Sequence, residues 1–274
     1  MKLGMINSAW EQSGQPLEKG LEWTKELGFD TVDIQLDPLE KGAQEKIARI
    51  KKTCKKLKLP IVSVAGCSLG LCDFNASVRE FHIQRGKAYL DMLAEFGGHN
   101  YLIVIGEYLW HKEVIPPNMQ WQWGVEGCRR LGEYAAKKGK ILTLELEPFK
   151  LSILNTMDEM ERFLDDVDHP AVTANIDISH MELSGTNAAR LKPLKGRAGH
   201  VHISDCDGKV HGDLPPGRGV IDFVPYLRAI GDVGILSDTI SLELEYSPDP
   251  AKIVAWVREA HDQTRALMKK AGVA

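Results

Sequence analysis

Eight short apolar, β-branched runs recur along the 274 residues: LGMIN at 3–7, TVDIQL at 31–36, PIVSVAG at 60–66, YLIVIG at 101–106, ILTLELE at 141–147, VTANID at 172–177, GHVHIS at 199–204 and TISLELEY at 239–246. Between them lie stretches with helical periodicity and charged faces, such as AQEKIARIKKTCKKLKL, VREFHIQRGKAYLDMLAEFGG and TMDEMERFLDDV. Strand-then-helix units repeated eight times over about 250 residues have the size and rhythm of a (β/α)8 barrel, whereas a doubly wound sheet of this length more often carries a second domain. No Gly/Ser/Pro-rich linker or low-complexity tract marks a boundary, so one barrel domain over residues 1–274 is expected.

Charge and composition narrow the partners. A formal net charge of -4 offers no overall attraction to nucleic acid or to an anionic membrane, and none is expected as a partner. The longest apolar runs fall far short of the roughly 20 residues a membrane helix needs. Five cysteines, Cys54, Cys67, Cys72, Cys128 and Cys206, are scattered without a CxxC pair, and no secretory apolar region opens the chain. A reduced, cytoplasmic protein is expected. No GxGxxG follows a strand, and GxxxxGK[ST], HExxH and GxSxG are missing, which removes the cheapest support for dinucleotide, P-loop, zincin and serine-hydrolase chemistry.

The chemistry concentrates at the ends of the last four strands. In LTLELEP the leucines point one way and Glu145 and Glu147 the other, and ISLELEY repeats the pattern with Glu243 and Glu245. The sixth strand ends at Asp177 with His180 beyond it, and the seventh carries His200 and His202. Strand ends converge at one face of a barrel, so these groups belong to one site. Buried ions of one sign cost several kcal/mol each unless they protonate or gather a cation, and a divalent metal is the simplest such cation. Three carboxylates and one imidazole suit Mn2+ first, with Mg2+, Co2+ and Zn2+ as alternatives.

These residues resemble the xylose-isomerase-like barrel superfamily of sugar isomerases and epimerases, which includes ketose 3-epimerases, hydroxypyruvate isomerase and inosose isomerases and dehydratases. The resemblance runs through LGMINSAW, GFDTVDIQLDPL, LEP, LNT, IDISHM, HVHISDCDGK, LPPGRGVIDF and ISLELEY. It implies one divalent metal held by Glu147, Asp177, His202 and Glu245, the later glutamate of each pair being chosen because it lies nearer the barrel rim. It also implies substrate contacts from His180, with His211 and Arg218 of the loop after the seventh strand as further candidates. Trp110, Trp121 and Trp123 are candidates for the wall of a sugar pocket.

The reaction implied is isomerisation or epimerisation of a sugar or keto-cyclitol by proton abstraction next to a carbonyl, through an enediolate on the metal, with Glu147 and Glu245 as acid and base. The alternatives are a lyase resembling inosose dehydratase, an apurinic-endonuclease-like nuclease, and a non-catalytic sugar-binding subunit. Assembly into dimers or tetramers, common in similar proteins, stays open.

Overall fold

Each of the eight apolar runs forms a parallel strand: β1 (Lys2–Ile6), β2 (Thr31–Gln35), β3 (Ile61–Cys67), β4 (Asn100–Val104), β5 (Ile141–Leu144), β6 (Val172–Asp177), β7 (Ala198–Ile203) and β8 (Thr239–Leu242). Each pairs with its neighbour in the sequence, and β8 pairs with β1, so the sheet closes into the expected barrel. This computed structural model describes residues 1–107 and 112–274, so Trp110 lies outside the described residues. Among the described residues the helices are α1 (Ser8–Gln12), α2 (Leu17–Glu26), α3 (Ala43–Leu57), α4 (Ala76–Phe96), α5 (Pro117–Lys137), α6 (Met157–Val167), α7 (Ile178–Leu183), α8 (Phe223–Val233) and α9 (Ile253–Ala271). None is long and apolar enough to cross a membrane.

Local chemistry sets the helix ends. Asn75 caps α4 by accepting from the Ser77 N–H at 2.9 Å, and Gly97 closes it at φ 74°, a left-handed conformation that glycine adopts without strain. Thr156 caps α6, its Oγ1 accepting from the Glu159 N–H at 3.2 Å while its hydroxyl donates to the Glu159 carboxylate. After β4 the stretch IPPNMQWQW already contains the start of α5, because Pro117 stands in the first turn, where a missing N–H costs nothing. Lys51, Lys52, Lys55 and Lys56 belong to the solvated face of α3, whose Ile47, Ile50 and Cys54 are buried. Cys54, Cys72, Cys128 and Cys206 are free and buried, and Cys67 is free and exposed.

Strand alternation divides the side chains into two sets. Leu3, Met5, Val32, Ile34, Val64, Ile103, Leu142, Leu144, Ile176, Val201, Ile240 and Leu242 are buried in the continuous apolar core between sheet and helices. The intervening residues fill the barrel and are largely polar: Asn100 donates to Ser63 Oγ (2.8 Å) and accepts from Thr143 Oγ1 (2.7 Å). His200, fully buried, contacts Asp33 Oδ2 through Nε2 and Ser237 Oγ through Nδ1, both at 2.8 Å. The β6–β7 ladder slips here, pairing Ala174 with Ala198 and then Asn175 with His200. The unpaired residue is Gly199, where a Cβ would run into the Thr143 and Thr173 side chains. Gly199→Ala should therefore destabilise the protein by about 1–3 kcal/mol, from overpacking. Urea unfolding with an unchanged midpoint would contradict that account.

Candidate active site

Asp177 is both the last residue of β6 and the N-cap of α7. One of its oxygens, Oδ1, accepts from the Ser179 hydroxyl (2.9 Å) and the His180 N–H (2.8 Å). The other, Oδ2, is buried and has no hydrogen-bond partner among the described residues. His202, two residues beyond His200 on β7, presents Nδ1 to two carboxylates, Glu145 Oε2 at 3.5 Å and Glu243 Oε2 at 2.9 Å. Neither contact has the alignment of a hydrogen bond, and Nδ1 is also buried without a partner. Asn175 holds Glu145 by donating to Oε1 at 2.7 Å.

The carboxylates beside His202 and Asp177 are therefore Glu145 and Glu243, and the expectation that Glu147 and Glu245 would stand there does not match this geometry. The physical reason is where the strands stop. β5 ends at Leu144 and β8 at Leu242, so Glu145 and Glu243 are already at the rim. Two residues on, the backbone has left the ladder: Glu147 N–H donates to Leu154 and Glu245 N–H to Asp213. Glu147 and Glu245 still line the same cavity, of about 370 Å3, together with His180, His202, His211 and Tyr246. Its mouth also includes Cys67.

His180 sits at the cavity wall. Its Nδ1 lies 2.6 Å from the Leu146 carbonyl, which can only accept, so that nitrogen carries the proton. In neutral His180, Nε2 is then the acceptor for His211 Nε2–H at 2.8 Å. Asp213, one of whose oxygens accepts from Ser204 Oγ at 2.9 Å, approaches His211 within 3.8 Å. The loop that carries His211 and Asp213 is pinned from below by Asp205, whose carboxylate accepts from the N–H groups of Cys206, Gly217, Gly219 and Ile221. Arg218 of that loop turns elsewhere: it forms two 2.7 Å contacts to Glu259 and lies 4.2 Å above the Trp256 ring, outside the cavity. Trp121 and Trp123 lie along α5, Trp121 donating to Asp166 and Trp123 stacking under Arg79, and neither lines it.

The electrostatics follow from crowding. Burial, then Asp177 and Glu243, push Glu145 well above the usual carboxylate range. Burial, then Asp177 and Glu245, do the same to Glu243, and burial and Glu243 to Asp213. Burial raises Glu147 to about 7, against a lowering contribution from His180. Burial also works to raise Asp177, but His180, His202 and its hydrogen bonds outweigh it and hold the group low. Burial lowers His202, and burial reinforced by His180 lowers His211 to about 4. Glu145, Asp177 and His202 each bring a ligating atom within 4.8 Å of the others, and Asp177 Oδ2 and His202 Nδ1 are both buried without a hydrogen-bond partner. Converging carboxylate oxygens with an unpartnered imidazole nitrogen fit a divalent cation.

Comparison with known proteins agrees with this architecture. The D-psicose 3-epimerase of Ruminiclostridium cellulolyticum is 27% identical over 85% of this chain and 80% of its own length. The inosose dehydratase of Geobacillus thermodenitrificans is 26% identical over 85% of this chain and 86% of its own. A crystal structure of the IolI protein with a bound zinc atom superposes with a TM-score of 0.85 at 19% identity, covering 99% of each chain. The family described as xylose isomerase-like TIM barrel matches residues 21–269, and the chain belongs to it.

Proposed function

We propose that this protein is a divalent-metal-dependent sugar epimerase or isomerase that moves a proton at the carbon next to a carbonyl, with Glu145 and Glu243 as its acid and base. The observation that carries the reading is that these two carboxylates, from β5 and β8, converge on one imidazole at 3.5 and 2.9 Å. Glu145, Asp177, His202 and Glu243 would hold the metal, with Mn2+ first and Mg2+, Co2+ or Zn2+ as alternatives. When bound, the ion supplies Lewis-acid polarisation of the substrate carbonyl, which acidifies the neighbouring C–H. Asn175 orients Glu145 at its Oε1. One glutamate takes the proton and the other returns one to the opposite face, which inverts that carbon; return to the adjacent carbon gives isomerisation. His180, its ring fixed by the Leu146 carbonyl and His211, positions a substrate hydroxyl. Similarity to the psicose 3-epimerase points to a ketose substrate.

A second reading, elimination of water from a keto-cyclitol, has the support of the inosose dehydratase similarity. It begins with the same proton abstraction and ends with departure of a hydroxyl, which leaves as water by taking up the abstracted proton. Product analysis separates the two.

Exchange of substrate C–H for solvent deuterium, screened over ketoses and inososes in the presence of Mn2+, tests the common step. Glu145→Gln and Glu243→Gln should each lower it by roughly 10²–10⁴-fold, the range of general acid–base catalysis. Glu147→Gln should keep most of it. Normal exchange in Glu145→Gln would sink the assignment.

Stability should report the same charge crowding. Glu145, Glu147, Glu243 and Asp213 bind protons more tightly folded than unfolded, so the stability they contribute is full at low pH and is lost as pH rises through their folded values, about 7 for Glu147. His202 and His211 act oppositely, but only below their ordinary value of 6.5. Calorimetry of chelator-treated protein should therefore show Tm falling as pH rises above about 6.5, and saturating Mn2+ should reduce that slope by removing the share of Glu145 and Glu243, because bound ligands are already deprotonated. A Tm that rises over this interval in the chelated protein would contradict the assignment.

A further inference from the structure

We infer that the substrate is a keto sugar bearing a second, uncharged sugar unit, which lies in a trough continuous with the carboxylate cavity; the inference rests on the reading above and extends it. The trough, of about 730 Å3, runs over the rim of β1, β2 and β3. It is larger than the 370 Å3 inner cavity, and the two share Gln12, Gln35, Ala65, Gly66 and Cys67 as walls, so a ligand held at Glu145 and Glu243 has a path outward. Both volumes fall in the range of small-molecule sites.

The trough's charges decide what the extension is. Its cations are Lys46, Arg49 and Arg85, and each is already matched. Lys46 pairs with Glu40, and Arg49 grips Glu18 at 2.6 and 2.8 Å. Arg85 holds Asp37 Oδ2 at 3.0 Å through Nε and 2.8 Å through Nη2, while its Nη1 donates to the Cys67 carbonyl. A phosphate would have to take a guanidinium from a carboxylate, and Glu11, Asp37 and Glu40 also line the trough and would repel it. Hydroxyl groups face no such conflict. They both donate and accept, and paired ions retain unused oxygen lone pairs, while the amides of Gln12, Gln15 and Gln35 offer both roles. The exposed Gln35 side chain makes no hydrogen bond among the described residues.

Binding of non-reacting polyols tests this without requiring turnover. Titration calorimetry on protein purified without chelator would compare sorbitol with its glucosylated forms, maltitol and isomaltitol, and with sorbitol phosphate. At least one glucosylated polyol should bind about tenfold or more tightly than sorbitol. Gln15→Trp, which fills the trough at a residue that does not line the inner cavity, should abolish that gain and leave sorbitol unchanged. Equal or undetectable binding of glucosylated and plain polyols, a gain that survives Gln15→Trp, or tightest binding by the phosphate would each overturn the inference. Deuterium exchange into fructose, maltulose and isomaltulose keeps the two readings apart. A glucoside preference in binding with no exchange into any keto sugar would refute proton abstraction alone, and exchange with no such preference would refute the trough alone.

Discussion

Carboxylates crowded around one buried imidazole form the constraint on which the rest of this structure depends. Two unit charges about 4 Å apart repel by about 4 kcal/mol at an effective dielectric near 20, a large share of the roughly 5–15 kcal/mol that holds a domain together. Glu145, Asp177 and Glu243 can relieve that repulsion only by taking up protons or by sharing a cation. The site is built for the second outcome. Asp177 is kept ionised by His180, His202 and an N-cap geometry, and its Oδ2 is left without a donor. An arrangement designed for neutral carboxyls would supply acceptors for their protons, whereas here Asp177 Oδ2 and His202 Nδ1 are buried without partners in a group whose ligating atoms converge within 4.8 Å.

The barrel interior beneath the site makes such crowding tolerable. Rather than stacked aliphatic layers, it holds hydrogen-bonded polar residues: Asn100 between Ser63 and Thr143, and His200 between Asp33 and Ser237. Hydrogen bonds of this kind fix side-chain positions in a way that apolar packing alone does not. His200 sits edge-on to His202, with ring centroids 5.4 Å apart, so the buried Asp33–His200 pair supports the imidazole from below. The slip at Gly199 puts Asn175 opposite His200 and Asp177 opposite His202, aligning the residues of two strands at the height where Glu145 and Glu243 meet them.

Most of this was legible in the sequence because it depends on period-two alternation. The eight runs, the inward-facing carboxylates and the common site of Asp177, His180 and His202 all follow from that period and from barrel convergence. The choice between paired glutamates does not. Alternation places Glu145 and Glu147 on the same face, and only the backbone shows that the ladder ends at Leu144 and that Glu147 is drawn aside by its bond to Leu154. Asp33 left a trace, as the lone carboxylate in TVDIQL, yet its partner lies 167 residues away. Arg218 is the opposite case: a cation in an active-face loop reads as a substrate contact, but Glu259 and Trp256 on α9 bind it first. The short helices α1 and α7 span too few residues to show a period at all.

The two glutamates of the proposed reaction are not equivalent, and the difference bears on their roles. Glu145 is 4% exposed and tied to Asn175, whereas the Glu243 side chain is 20% exposed on the cavity wall. A proton taken by a dry, hydrogen-bonded carboxyl exchanges slowly with water and tends to return to the molecule it came from. A proton on a wetter carboxyl equilibrates with solvent between turnovers. In an epimerisation that uses both faces, the substrate hydrogen removed by Glu145 is then retained on the enzyme while Glu243 delivers one from solvent, and in the reverse direction the roles exchange. Label incorporation should consequently differ with the direction of the reaction, an asymmetry that follows from burial alone.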